Sequence, residues 1–141
     1  MRGIGVVVST MLLASALGAQ GGTDIWVGEL RGSGSALSLG DLRNVTRRAG
    51  YDNQPQFAPD GRSLLFTRIE ADGRADSWRV TVDGRVVSQL TRTAVEQEYS
   101  PTPMPDGNGF SAIVVEADST QRLWAYDWNG VPQRPIVPAL R

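Results

Sequence analysis

The stretch "NQPQFAPDGRSLLFT" at residues 53–67 sets a Pro-Asp-Gly corner between two segments of strand character, and "YSPTPMPDGNGFSAI" at residues 99–113 repeats that corner 46 positions later. The same offset lays Pro55 on Pro101, Trp78 on Trp124, Asp83-Gly84 on Asn129-Gly130 and Leu90 on Ile136, with no gap. Chance similarity does not hold proline, glycine and tryptophan in one register for nearly 40 residues, so the unit is duplicated. A degraded earlier copy is also visible: Asp24-Ile25-Trp26 matches Asp76-Ser77-Trp78, and Leu42 to Thr46 matches the segment ending at Leu90-Thr91. Periods in the forties belong to solenoids, helical arrays or propellers.

Patterning chooses among these. In "RSLLFTRI" (62–69), Leu64 and Phe66 alternate with Leu65, Thr67 and Ile69. In "DSWRVTV" (76–82), Trp78, Val80 and Val82 share a face, and "DIWVGEL" (24–30) and "RLWAYDW" (122–128) follow the same two-residue rhythm. Alternation in β-branched and aromatic segments marks strands. The only helix candidate is "TAVEQEY" (93–99), two turns at most before a Ser-Pro. In the Pro-Asp-Gly corner, Pro fixes φ, Asp caps the turn with a side-chain oxygen, and Gly supplies the positive φ. Asp60 and Asp106 are therefore expected to be turn residues, not ligand carboxylates. Each unit reads as four antiparallel strands, one propeller blade. The expected fold is all-β, with units at about 24–50, 51–96 and 97–141: two full blades plus part of a third.

Residues 1–19 carry a basic tip at Arg2, an apolar core and a small-residue exit at Ala16-Leu17-Gly18-Ala19, the pattern of a secretory signal peptide with cleavage near Gly18 or Ala19. The apolar run of about 15 residues is short of the ~20 that span a bilayer. The remainder, 20–141, is expected to be exported, to the periplasm or beyond, with no other stretch apolar enough to cross a membrane. The chain has no Lys, no Cys and a formal charge of −1. It therefore has no disulfide framework, and its charge balance argues against nucleic acid as a partner.

With neither His nor Cys, the chain cannot build a Ser-His-Asp or Cys-His triad or a Cys/His zinc site. It has no phosphate-binding Gly-Lys-Ser/Thr loop. Carboxylate pairs remain conceivable at Glu70, Asp72 and Asp76 or at Glu116 and Asp118, but these fall at matching places in the two units, as a repeated hairpin edge requires. "EADGRAD" (70–76) lacks the spacing of a calcium loop. No catalytic, cofactor or metal residue is assigned. Trp26, Trp78 and Trp124 recur at one blade position and are expected to pack sheet against sheet. Tyr126 and Trp128 have no aromatic counterpart in the preceding unit, which makes Trp128 the best candidate contact residue. Arg43, Arg47 and Arg48 read as solvated positions.

"QPQFAPDGRSLLFTRIEADGRADSWRVTVDG" resembles the PD40, or WD40-like, β-propeller repeat of TolB-like proteins, and "EYSPTPMPDGNGFSAIVVEADSTQRLWAYDWNG" resembles the next repeat. The resemblance covers roughly residues 23–138. It implies an exported, non-catalytic module that docks proteins or peptides in the cell envelope. Related repeats also form the non-catalytic propeller in front of some secreted serine peptidases, and a carbohydrate- or cation-binding propeller is a further alternative. The Tol–Pal members carry an extra α/β domain before the propeller that nothing here supplies. Pro103-Met104 replaces Phe57-Ala58, which suggests a lost core aromatic. Two to three blades are fewer than a closed ring needs, so further blades of a longer protein, or self-association, are expected to complete it.

Overall fold

A computed structural model of the protein describes residues 22–137; the expected signal peptide lies outside the described residues. Ten strands follow in order: β1 (Trp26–Arg31), β2 (Ser38–Asn44), β3 (Tyr51–Phe57), β4 (Ser63–Ile69), β5 (Ala75–Thr81), β6 (Val87–Gln89), β7 (Gln97–Pro103), β8 (Phe110–Val115), β9 (Gln121–Tyr126) and β10 (Pro132–Pro135). They form an antiparallel pair, β1-β2, and two four-stranded antiparallel meanders, β3-β4-β5-β6 and β7-β8-β9-β10. The meanders are two full blades. The pair is the outer half of a blade, because its end is fastened like theirs. Val45 N–H donates to Ile25 O (2.9 Å), Leu90 to Ser77 (2.9 Å) and Ile136 to Leu123 (2.7 Å), one bond at equivalent places in all three units.

The alternation along β4 divides the core in two. Leu64 and Phe66 pack with Ile25, Val45 and Val80 toward the β1-β2 pair. Leu65, on the opposite face, packs with Phe110, Ala112, Val114 and Tyr126 of the next blade. Phe66, Leu65 and Phe110 are fully buried, each contributing about 1.5–3 kcal/mol from burial.

The Pro-Asp-Gly corners are turns, as the residue chemistry demands. Gly61 N–H donates to Ala58 O and Gly107 N–H to Met104 O, with φ of +63° and +74° at the two glycines. The Asp60 carboxylate accepts from the N–H groups of Arg62 (2.8 Å) and Ser63 (3.2 Å), and Asp106 accepts from Asn108 (3.0 Å).

Four expectations require correction. Residues 93–99 are not helical, since strand β7 begins at Gln97; Pro101 and the buried Glu98 commit the segment to the blade. Trp26 is 58% exposed, not packed between sheets, because among the described residues its unit has only the pair β1-β2 and no further strand beside it. Phe57 is equally exposed at 58%, so no core aromatic is lost where Pro103-Met104 replaces Phe57-Ala58. Arg48 is not simply solvated: it pairs with buried Asp52 at 3.1 Å and donates to the carbonyls of Ala49 and Ile69.

Candidate functional site

Both first strands, β3 and β7, are broken by a bulge at the same place. The register shifts between Asn53 and Gln56 and again between Tyr99 and Thr102. Gln54 and Ser100, neither a glycine, take φ of +57° and +54° there. Such a conformation costs on the order of 1 kcal/mol and is held by a bond from one blade to the next. The Gln54 side-chain oxygen accepts from Ser100 N–H at 3.0 Å and from the Thr67 hydroxyl at 2.7 Å. Beyond the first bulge Pro55, Gln56 and Phe57 are turned out to solvent.

Strand direction places the two Pro-Asp-Gly turns and Trp128 on one rim. There a shallow cleft of ≈ 290 Å³ lies between Pro59 and Asp60 of one turn and Gly107 of the next, with Arg79 and Trp128 on its walls. Asp60 pairs with Arg79 at 2.8 Å, and the N–H groups of Arg62 and Ser63, with Arg79 nearby, hold its carboxyl below the ordinary range. Trp128 is half-buried: it packs against Phe110 (ring centroids 6.3 Å) and donates its indole N–H to Gly107 O at 2.9 Å. Tyr126 is instead buried, stacked on Phe110 at 5.2 Å.

The opposite rim holds two acids that sequence reasoning passed over. Asp52 and Glu98, related by the 46-residue offset, are both buried at the start of their strands. Asp52 is neutralised by Arg68 (2.9 Å) and Arg48. Among the described residues Glu98 has no such partner: Val114 stands at the position of Arg68. Burial pushes the Glu98 carboxyl up to about 7, and Asp76 beside it is raised as well. The hydrogen bonds agree with a neutral group. Thr93 Oγ1 lies 2.9 Å from both Glu98 Oε1 and Glu96 O, and one hydroxyl proton cannot serve two acceptors. A protonated Glu98 supplies the missing hydrogen. The signal was available in the sequence as an acid kept in both units while its arginine is not.

Glu70, Asp72 and Asp76 do not converge. Asp72 caps Arg74 N–H (3.1 Å), Asp118 caps Thr120 N–H (2.9 Å), and Asp76 turns inward to Gln89. Glu116 pairs with Arg122 and accepts from Trp124 Nε1 (2.9 Å). Among the described residues no group of three or more acids could hold a metal ion, and no helix is long and apolar enough to cross a membrane.

Four-stranded antiparallel meanders stacked face to face, each fastened at its outer end, define a β-propeller protein. Its blades are TolB-like. A TolB-assigned structure from Agrobacterium tumefaciens superposes with a TM-score of 0.62 at 21% identity, over 79% of this chain and 45% of that one. TolB from Acinetobacter baumannii gives 0.52 at 20% identity, over 79% and 32%; at such identities the likeness is one of fold. In sequence, 39 residues are 44% identical to the Tol-Pal system protein TolB of Bordetella pertussis, 28% of this chain and 9% of that protein. A longer match, 32% identical over 82 residues, is to an uncharacterised protein of Agrobacterium fabrum, 58% of this chain and 27% of the relative. The matched region thus spans about a quarter of that relative's length. No family model matches the chain.

Proposed function

We propose that the protein is an exported, non-catalytic propeller module that binds a protein or peptide in the cell envelope. The observation that carries this reading is the pair of matched bulges, which hold Phe57 in solvent at the rim where Trp128 and the Pro-Asp-Gly turns meet. An exposed aromatic on the same rim as a half-buried tryptophan and a shallow cleft is the composition of a contact surface. It lacks the nucleophile-base pairing of a reaction centre. The likeness to TolB proteins supports the envelope setting.

Photo-crosslinking tests the reading. A crosslinking residue at position 57 or 128, in cells that export the protein, is expected to give discrete adducts with another envelope protein. The same residue at exposed Glu29 on β1 is expected not to. Adducts identical at all three positions, or confined to the chain itself, would refute the reading.

A further inference from the structure

The two blade interfaces use equivalent positions and are closed differently. In the first, Arg68 lies buried on the face of its own blade, its guanidinium 2.9 Å from Asp52 and stacked 4.2 Å over the ring of Trp78 and 5.3 Å from that of Phe66. In the second, the 46-residue offset puts Glu98 at Asp52 and Trp124 at Trp78, but Val114 at Arg68 and Ala112 at Phe66. The acid and the indole are kept and the cation is gone, while the ring of Phe66 gives way to Phe110 and Tyr126 at the places of Leu64 and Val80. Beside Val114 is a cleft of ≈ 530 Å³ whose walls, from the second blade and the segment leading into it, include Thr93, Glu98, Val114, Glu116, Trp124 and Tyr126.

Charge gives the cleft a sign. Among the described residues four acids line it, Glu96, Glu98, Glu116 and Asp118, and the one basic residue on its wall, Arg122, is already paired with Glu116. The Glu116 carboxylate also holds the Trp124 indole, so the aromatic wall is fixed before any ligand arrives. A cation over a partly desolvated Trp is held by the ring's quadrupole, and a charge-assisted bond to a buried carboxylate is stronger than a neutral one.

We propose that this cleft binds the guanidinium of an arginine side chain presented by a peptide segment of a partner protein, with Glu98 as its ion-pair partner and Trp124 as its stacking face. The site reproduces between partners the clamp that Asp52, Arg68 and Trp78 make within the chain. Thr93 covers the Glu98 carboxyl, so the guanidinium takes the place of the Thr93 hydroxyl. The carboxyl's proton passes to solvent on entry. The groups facing that carboxyl are Asp76, Glu96, Glu116, Asp118, Arg122 and Tyr126. This inference rests on the binding-module reading and names the chemistry of its partner.

The test is calorimetric titration of the chain with acetyl-Gly-Arg-Gly-amide and with the same peptide carrying citrulline, which has the shape of arginine without the charge. Saturable binding of the arginine peptide is expected, at least tenfold tighter than the citrulline peptide and abolished in Val114→Arg, where the chain fills the cleft with its own guanidinium. Glu98→Gln is expected to weaken it at least tenfold. Equal binding of the two peptides, no binding of either, or arginine binding unmoved by both substitutions would overturn the proposal. Crosslinks to an envelope protein at positions 57 and 128 without arginine binding would leave the binding module standing and remove only the cleft. Arginine binding without such crosslinks would do the reverse.

Discussion

Replacing Glu98 by Gln tests the neutral buried carboxyl most directly. The side chain has no exposed surface, sits among Thr91, Thr93 and Asp76, and has burial as the main cause of a pKa of about 7 against an ordinary 4.5. The sign follows from proton binding. Between those two pH values the folded chain keeps a proton that the unfolded chain has lost, so folding stability falls as pH rises through the window and levels off above it. At about 1.4 kcal/mol per pH unit, the loss across the window is on the order of 3 kcal/mol. Gln mimics the protonated acid and carries no titrating proton. Urea denaturation of both proteins from pH 4.5 to 8.5 is expected to show them nearly equal at the acid end, with the Gln variant more stable above pH 7.5 by about that amount. Asp76→Asn, measured alongside, separates the smaller slope due to its neighbour. Parallel profiles for wild type and Glu98→Gln, within about 0.5 kcal/mol at every pH, would mean that Glu98 is ionised in the fold and that the hydrogen-bond argument is wrong.

Other substitutions probe the frame. Arg68→Ala, which leaves Asp52 with a single cation, is expected to cost about 3 kcal/mol in urea unfolding, whereas Arg74→Ala at the exposed Asp72 pair is expected to leave the midpoint where it was. Two glycines of similar φ should differ sharply. A Cβ at Gly130 would stand 1.9 Å from Leu90 O of the preceding blade, whereas one at Gly61 meets nothing within 4 Å. Gly130→Ala should therefore cost about 3 kcal/mol or more and Gly61→Ala about 1 kcal/mol by thermal denaturation. Val114→Arg is expected to raise the melting temperature at pH 8, by giving Glu98 the partner that Asp52 already has.

What the sequence disclosed and what it withheld divide along physical lines. The Pro-Asp-Gly turns and the alternation in β4 depend on residues a few positions apart, so Pro59, Asp60, Gly61 and the Leu64–Phe66 face could be read directly. The strand at 97–103 was harder. Its local composition allows a short helix, and only the pairing of Gln97 to Tyr99 with Val115 to Ile113 decides otherwise. Trp26 is exposed because burial belongs to neighbours: the residue type recurs, but among the described residues its unit has no inner strands to cover it. Arg48 was misjudged for the opposite reason, since its buried partner Asp52 is identifiable only once β3 is placed against β4.

The same division explains how one repeat yields two different interfaces. Each blade is fastened to itself by backbone groups: the bonds from Val45 to Ile25, Leu90 to Ser77 and Ile136 to Leu123 need no particular side chain. The first two units add a side-chain lock, in which a threonine hydroxyl accepts from strand N–H, Thr46 from Ile25 and Thr91 from Ser77. The third has Val137 at that position and keeps the backbone bond without the lock. With the frame secured by the main chain, side chains between blades are free to change without losing the fold. With Val114 in the place of Arg68 the cation is lost and a cleft stands against a retained acid. A blade can in this way turn a packing surface into a recognition surface by changes at alternate positions of one strand, Leu64, Phe66 and Arg68 giving way to Phe110, Ala112 and Val114, and Val114→Arg alone should return the cation that the retained acid lacks.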